Sequence, residues 1–192
     1  MREKILQTES LNLYINVQAF FKKAKIREGN QIALSLDALP TKWYNIVPDL
    51  PEPLPPPKEP ERGPSRLDFL SKTMVHECLR QEMSTERWIP IPEEVRELYI
   101  QARRPRPFHR ARRLEKHLGL KKVRLYYKRE DLSPTGSHKV NTALAQAYYA
   151  AKEEKTTLVT ETGAGQWGSA LSYAAALMGL HCVVFWVRAV YN

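Results

Sequence analysis

An α/β protein with a parallel sheet and flanking helices is what this 192-residue sequence predicts, and three observations predict it. From Val123 to Val187, strand-like apolar runs alternate with helical ones in the order strand, helix, strand, helix, strand. Strands spaced by a helix pair in parallel through right-handed crossovers. The helical runs are built from small residues, Ala143 to Ala151 and Ala174-Ala175-Ala176, which permit close approach to a sheet, and Gly119 and Gly179 stand where helix C-terminal caps are due. At 43% hydrophobic, 27% charged and 9% aromatic, the chain has the make-up of a globular protein with enough length for one core.

Residues 1 to 30 carry Leu11, Tyr14, Ile15, Val17, Phe20 and Phe21 at spacings that suit an amphipathic helix running into Lys22-Lys23-Ala24-Lys25. Glu3 and Glu9, with no continuous apolar core, argue against a secretory signal, and no apolar run reaches membrane-spanning length. Between Pro40 and Pro64 lie nine of the 14 prolines, which exclude helix and central strand. An extended wrapping arm anchored by Trp43, Tyr44, Ile46 and Leu50 is expected there.

Ser65 followed by Asp68 is a capping signal, and Leu67, Leu70, Met74, Cys78 and Leu79 mark one face of a helix continuing to about Gln81. His76 and Glu77 within it have no partners at metal-ligand spacing. Pro92-Glu93-Glu94 opens a second helix with Val95, Leu98 and Tyr99 inward, ended by Pro105 and Pro107. A third helix spans Arg110 to Leu118, after which Val123, Leu125 and Tyr127 alternate as a strand. The next helix buries Ala143, Leu144, Ala147, Tyr148 and Ala151; then come a strand over Thr156 to Thr160, a helix over Gln166 to Met178, and a strand over Cys182 to Val187.

The net charge of +9 is localised: residues 103 to 129 hold twelve Lys/Arg against one acidic residue, Glu115, so the rest of the chain sums to −2. Arg112-Arg113 and Lys121-Lys122 alternate with Leu114, Leu118 and Val123, which suits a solvated face beside a core better than a nucleic-acid surface. Cys78 and Cys182 lie in apolar contexts, so reduced, buried thiols in a cytoplasmic setting and no metal site are expected.

The chemistry concentrates in two stretches. Lys139 opens a helix directly after the turn Pro134-Thr135-Gly136-Ser137, a placement that can present its amine at the carboxyl end of a strand, as in the capture of aldehyde cofactors as Schiff bases. Position alone fits a solvated surface lysine more often. Glu161 to Gly168 forms a glycine-rich turn between a strand and a helix, whose amides and dipole can hold a carboxylate or phosphate; alone, such a turn often serves only tight packing. Both stretches lie at carboxyl ends of strands, where open parallel sheets bind ligands.

Arg104-Pro105-Arg106-Pro107-Phe108, Lys128-Arg129-Glu130-Asp131-Leu132, Gly136-Ser137-His138-Lys139-Val140-Asn141 and Glu161-Thr162-Gly163-Ala164-Gly165-Gln166-Trp167-Gly168 resemble, in order and spacing, the motifs of tryptophan synthase beta chains. Thr41-Lys42-Trp43-Tyr44-Asn45 and Ser84-Thr85-Glu86-Arg87-Trp88-Ile89-Pro90-Ile91-Pro92 resemble the stand-alone second type, which also carries Trp in the glycine loop. The resemblance runs from about residue 40 to the last residue.

It implies a fold of the tryptophan synthase beta-like type (fold type II) with pyridoxal 5'-phosphate bound. The reaction implied is beta-replacement on L-serine by indole to give L-tryptophan. Lys139 would be the Schiff-base lysine and proton acceptor, and Glu161 the carboxylate that assists hydroxyl departure and handles the indole N–H proton; a strand-end carboxylate capping the next helix is its plainer reading. Thr162, Gly163, Ala164, Gly165, Gln166 and Trp167 would bind the substrate carboxylate, His138 would lie near the cofactor phosphate, and Asn141 and Gln166 near its ring. Full-length relatives imply a homodimer and an alpha-type subunit as partners.

The implied organisation is an amino-terminal extension over 1–39, the arm over 40–64, the lysine domain over 65–160 and the start of a communication subdomain over 161–192. The family's phosphate cup and the hydroxyl facing the pyridine nitrogen lie downstream of these residues, and Arg106 replaces the usual Thr. Weak cofactor binding and slow turnover are therefore expected, with a catalytically silent structural piece as the rival reading.

Overall fold

The computed structural model describes residues 30–188. The helix expected in the first 30 residues falls, Asn30 apart, outside them. The strands in chain order are β1 (Gln31–Ile32), β2 (Lys42–Tyr44), β3 (Trp88–Pro90), β4 (Phe108–Arg110), β5 (Tyr126–Lys128), β6 (Thr157–Thr162) and β7 (His181–Trp186). The α-helices are α1 (Arg66–Thr73), α2 (His76–Glu82), α3 (Glu93–Gln101), α4 (Arg112–His117), α5 (Lys139–Lys152) and α6 (Gln166–Leu177). The chain divides into two compact units, one containing residues 30–39 and 104–130, the other residues 40–103 and 131–188.

The smaller unit is a three-stranded antiparallel sheet in the order β1-β4-β5. Its interior is polar. Glu115 of α4 is 6% exposed and accepts hydrogen bonds from Arg110 Nε and Nη2, at 3.0 and 2.9 Å, and from the Leu125 N–H at 2.8 Å. The Arg110 hydrogen bond holds the Glu115 carboxyl below the usual carboxylate range. Arg106, 1% exposed, donates to Glu130 at 2.5 Å, and Lys128 donates to the Arg106 carbonyl while its ammonium lies 4.6 Å from the centre of the Phe108 ring. Burial pushes the Lys128 pKa down.

Three expectations change here. The run Val123 to Tyr127 is not a strand of the parallel sheet; only Tyr126–Lys128 is extended, and it pairs antiparallel with β4. Leu125 is taken up at both backbone groups, by Glu115 and by the Ala111 N–H. The helix expected over Arg110 to Leu118 shortens to α4 because Arg110 belongs to β4. Leu114, Leu118 and Val123 are 48%, 55% and 54% exposed, so the buried member of that helix is the carboxylate rather than the leucines.

In the larger unit β2 and β3 form an antiparallel ribbon with Trp43 opposite Ile89. This is the one regular strand within the proline-rich arm, and of the four expected anchors Trp43 and Leu50 are half-buried whereas Tyr44 and Ile46 are exposed. The helix expected over 65 to 81 is two helices. Ser65 Oγ caps the first at Asp68 N–H, but Met74 turns extended, and α2 starts afresh where the Glu153 carboxylate accepts from the His76 and Glu77 amides at 3.0 and 2.9 Å. That cap comes from 77 residues away, so local sequence does not announce it. Leu67, expected inward, is 52% exposed.

The core runs along α3, α5 and α6: Val95, Ala102, Val140, Ala143, Leu144, Ala147, Ala150, Ala170 and Ala174 are fully buried. Helices α5 and α6 pack on each other, and α6 packs on β6 and β7, which pair in parallel from Thr157↔His181 to Thr162↔Trp186. The expected parallel pairing through a helical crossover holds for these two strands. At Gly168 of α6 an added Cβ would stand 2.7 Å from Val184 Cγ1 and 3.0 Å from Thr162 Cγ2, so the helix lies against the strands at a distance only glycine allows. Cys78 and Cys182 are free and half-buried, and burial, with Glu153 and Glu77 beside it, pushes the Cys78 thiol up to about 11. Among the described residues no helix is long and apolar enough to cross a membrane, and no group of His, Cys, Asp and Glu could hold a metal ion.

Two predictions follow from these contacts. Burial pushes the Glu153 carboxyl up, but the Glu77 and His76 amides, the His76 ring and Lys155 outweigh it and hold it below the usual carboxylate range. A lowered folded pKa contributes stability that is present above the unfolded value and is lost as pH falls through the folded one. Glu153→Gln should cost about 1 kcal/mol at neutral pH and flatten the acid side of the stability curve, read by urea unfolding at several pH values. Gly168→Ala should cost roughly 1–3 kcal/mol by overpacking, read as a lowered denaturation midpoint.

Candidate active site

Helix α5 starts from a turn that Ser133 closes. The Ser133 hydroxyl donates to the Ser137 carbonyl at 2.7 Å and accepts the Ser137 N–H at 2.8 Å, and the Gly136 N–H donates back to the Ser133 carbonyl at 3.1 Å. Gly136 takes φ +68°, which favours glycine. Ser137 Oγ then accepts the Lys139 N–H at 3.2 Å and so serves as the helix cap, since His138 makes none. Lys139 follows at the first helical position, half-buried, with His138 exposed and Asn141 half-buried beside it. Within the same turn Thr135 Oγ1 is buried with no hydrogen-bond partner among the described residues.

The glycine-rich turn leaves β6 and enters α6. Thr162, 3% exposed, accepts the Gly165 N–H at its Oγ1, at 3.2 Å. Gly165 sits at φ +90°, and a Cβ there would lie 2.8 Å from the Trp186 ring, so the β7 indole rests directly on the loop backbone. The amides of Gly163, Ala164, Gln166 and Trp167 find no acceptor among the described residues. Unpaired amides at the N-terminus of a 12-residue helix point toward an anion. Trp167 turns inward, its indole Nε1 donating to Thr160 Oγ1 at 2.8 Å. Gln166 is exposed.

Connectivity brings the two stretches to one end of the unit. Helix α6 runs from the carboxyl end of β6 to the amino end of the parallel strand β7, so it is antiparallel to both. Helix α5 packs along α6 and feeds the amino end of β6 through residues 153–156, so it too runs against the strands. The start of α5, with Lys139, and the start of α6, with the free amides, therefore share the carboxyl end of the sheet. Glu161 differs from its neighbours. Thr160 and Thr162 face α6 through their contacts with Trp167 and Gly165, so Glu161 projects from the opposite face of β6 and is exposed beside Phe185 of β7.

A cleft of about 330 Å³ lined by Glu94, Leu98, Tyr148, Lys152 and Met178 lies at the other end of α5, about 20 Å along the helix from Lys139 at its 1.5 Å rise per residue. It is not part of the lysine site. Motif reading found Lys139 and the glycine turn but missed Ser133, Thr135 and Trp186. A serine four residues before Ser137 across a Pro-Thr-Gly turn is the signal that could have revealed the first.

Residues 99–190 match the family model described as pyridoxal-phosphate dependent enzyme. The chain is 55% identical over 163 residues to tryptophan synthase beta chain 2 of Methanothermobacter thermautotrophicus, which covers 85% of this chain and 38% of that relative. It is 56% identical over 151 residues to tryptophan synthase beta chain of Pyrobaculum aerophilum, covering 79% and 37%, and 54% identical over 163 residues to tryptophan synthase beta chain 2 of Pyrococcus furiosus, covering 84% and 36%. The chain thus spans a little over a third of the length of these relatives, and the resemblance read from its motifs is borne out at that extent.

Proposed function

We propose that this chain supplies the lysine-bearing part of a tryptophan synthase beta-type enzyme, a carbon–oxygen lyase that joins L-serine and indole into L-tryptophan and water with pyridoxal 5'-phosphate as cofactor. The observation that carries the reading is that the start of α5, which bears Lys139, and the start of α6, with its unpaired amides, share the carboxyl end of the β6–β7 sheet, in a chain 55% identical over 163 residues to a protein named tryptophan synthase beta chain 2. The residues fit the cofactor on chemical grounds. A half-buried lysine amine, a buried Thr135 hydroxyl lacking a partner and a row of open amides make a donor set suited to an aldehyde carrying a phosphate beside an amino acid's carboxylate.

When bound, pyridoxal phosphate offers Lys139 a carbonyl to hold it by and a ring that draws electrons from the substrate's alpha carbon. In this reading the Lys139 Nζ takes the proton from that carbon, and the Glu161 carboxyl, in its protonated form, gives its proton to the departing serine hydroxyl, which leaves as water; the carboxylate so formed later accepts the indole N–H proton. The amides of Gly163, Ala164, Gln166 and Trp167 hold the serine carboxylate, while Thr162 and Gly165 set the loop that aims them. His138 would help hold the cofactor phosphate, and Asn141 and Gln166 its ring. Residues 65–160 then act as the lysine domain and 161–192 as the beginning of a communication subdomain, within a cytoplasmic homodimer that can also take an alpha-type subunit.

One observation favours a second reading, a piece that binds without turning over. Val159, Val183 and Phe185, which surround Glu161 on its face of the sheet, are 62%, 44% and 64% exposed. Water there screens the charge that proton transfer requires.

Borohydride reduction of the chain with pyridoxal phosphate, followed by peptide mass spectrometry, tests the primary reading. Label should concentrate on Lys139 and vanish from that peptide in Lys139→Ala; label spread evenly over surface lysines would overturn it. Tryptophan formation from serine and indole by the same chain should run at least tenfold below that of the longer relatives, because removing preorganised electrostatic stabilisation costs that much or more. Equal rates in a direct assay would refute the claim that exposure disables Glu161.

A further inference from the structure

We propose that Ser133 is a positioning residue for Lys139, acting through Ser137. The inference rests on the reading of Lys139 as the cofactor-holding amine. One hydroxyl satisfies both backbone groups of Ser137, donating to its carbonyl at 2.7 Å and accepting its N–H at 2.8 Å. Both serines are nearly closed to water, at 8% and 6% exposure, so these bonds have no solvent competitor. With Gly136 turned to φ +68° and its N–H bonded to the Ser133 carbonyl at 3.1 Å, the segment from 133 to 137 is closed by its own side chain.

The constraint passes directly to the lysine. Ser137 Oγ accepts the Lys139 N–H at 3.2 Å, and the Asn141 N–H bonds the His138 carbonyl at 3.0 Å, so the Lys139 amide is tied directly to Ser137. The lysine side chain has four rotatable bonds; what the protein can fix is where its Cα stands and which way its Cβ leaves the helix. Ser133 fixes both by locking the residue from which the helix is launched. Helix packing along α5, through Val140, Ala143, Leu144 and Ala147, fixes the helix body, and the Ser133–Ser137 closure fixes the residue from which it is launched. A sub-ångström drift of the launching residue matters at the reacting amine because covalent capture depends steeply on approach geometry.

The test uses the whole 192-residue chain with pyridoxal phosphate. In wild type, Ser133→Ala, Ser133→Thr and Ser137→Ala, the initial rate of borohydride-trapped label at Lys139 is measured against label on surface lysines of the same sample. Hydrogen exchange reads the Ser137 and Lys139 amides. Loss of the Ser133 hydroxyl should slow Lys139 labelling roughly tenfold, and loss of the Ser137 Oγ that accepts the Lys139 N–H should slow it about threefold, with surface labelling unchanged. Ser133→Thr, which keeps the hydroxyl, should restore it. The Ser137 and Lys139 amides should lose protection in Ser133→Ala while α6 amides keep theirs. Wild-type labelling rates in both alanine variants would overturn the proposal, as would unchanged amide protection. Should Ser133→Ala fail to fold, Ser137→Ala, which keeps the 133–137 closure, decides the point. A wild-type chain that leaves Lys139 unlabelled would instead sink the functional reading itself, a result separable from the other two.

Discussion

The close approach of α6 to the β6–β7 pair is the constraint from which the site follows. At Gly168 helix and strands approach to a distance at which a single methyl would meet Val184 and Thr162. With alanines at 170, 174 and 175 continuing that contact, the helix is held with its axis close to the sheet and its first turn directly over the carboxyl end of β6. Alanines at 143, 147 and 150 are likewise fully buried along α5, which packs on α6. Small residues give up hydrophobic area per side chain, yet they let backbone approach backbone, and the total dispersion contact over two helices compensates. The consequence is positional: both helix starts fall at one edge, and an amine and a set of amide donors share it without any long-range ion pair arranging them.

Local sequence signals were legible where one element explains itself. The cap at Ser65, the glycine C-caps at Gly119 and Gly179, the inward triad Val95, Leu98 and Tyr99, and the strand–helix–strand from Thr157 to Trp186 all rest on neighbours within a few residues, and all appear in the structure. The failures share a cause. The break between α1 and α2 depends on Glu153, the fate of Leu125 on Glu115, and the strands β1, β2 and β3 on partners 44 to 78 residues away, so short windows carry no trace of them. The amphipathic reading of residues 112 to 123 failed for a different reason. Periodicity found the leucines but assumed that the apolar face is the buried one, whereas a carboxylate bonded by three donors displaced it.

The candidate site divides along the same line. Lys139 and the glycine turn were legible because their chemistry is written in residue type and order. Ser133, Thr135 and Trp186 were not, since each acts through a contact whose meaning depends on the fold: a hydroxyl closing a turn, a hydroxyl left open inside it, and an indole lying 2.8 Å from where a Gly165 side chain would begin. The loop's amides are free to bind an anion for a reason sequence gives only in part. Thr162 takes the Gly165 N–H, and the Gly163 and Ala164 amides are left without an acceptor among the described residues.

Binding and proton transfer ask different things of this sheet, and its two faces answer differently. The α6 side supplies donors whose strength comes from being fixed and from the helix dipole, neither of which needs a dry surrounding to hold a carboxylate. The opposite side carries Glu161, whose proposed use as an acid and base would depend on a low local dielectric, and there Val159, Val183 and Phe185 are 62%, 44% and 64% exposed. A parallel sheet is ordinarily covered on both faces because its βαβ connections put helices there; here the single connection covers one. The same apolar residues that leave Glu161 solvated are the ones a covering layer would bury, so excluding water from the carboxylate and stabilising the sheet are one event rather than two. On the proposed reading, chemistry at Glu161 would depend on a layer covering that face, while capture at Lys139 would not.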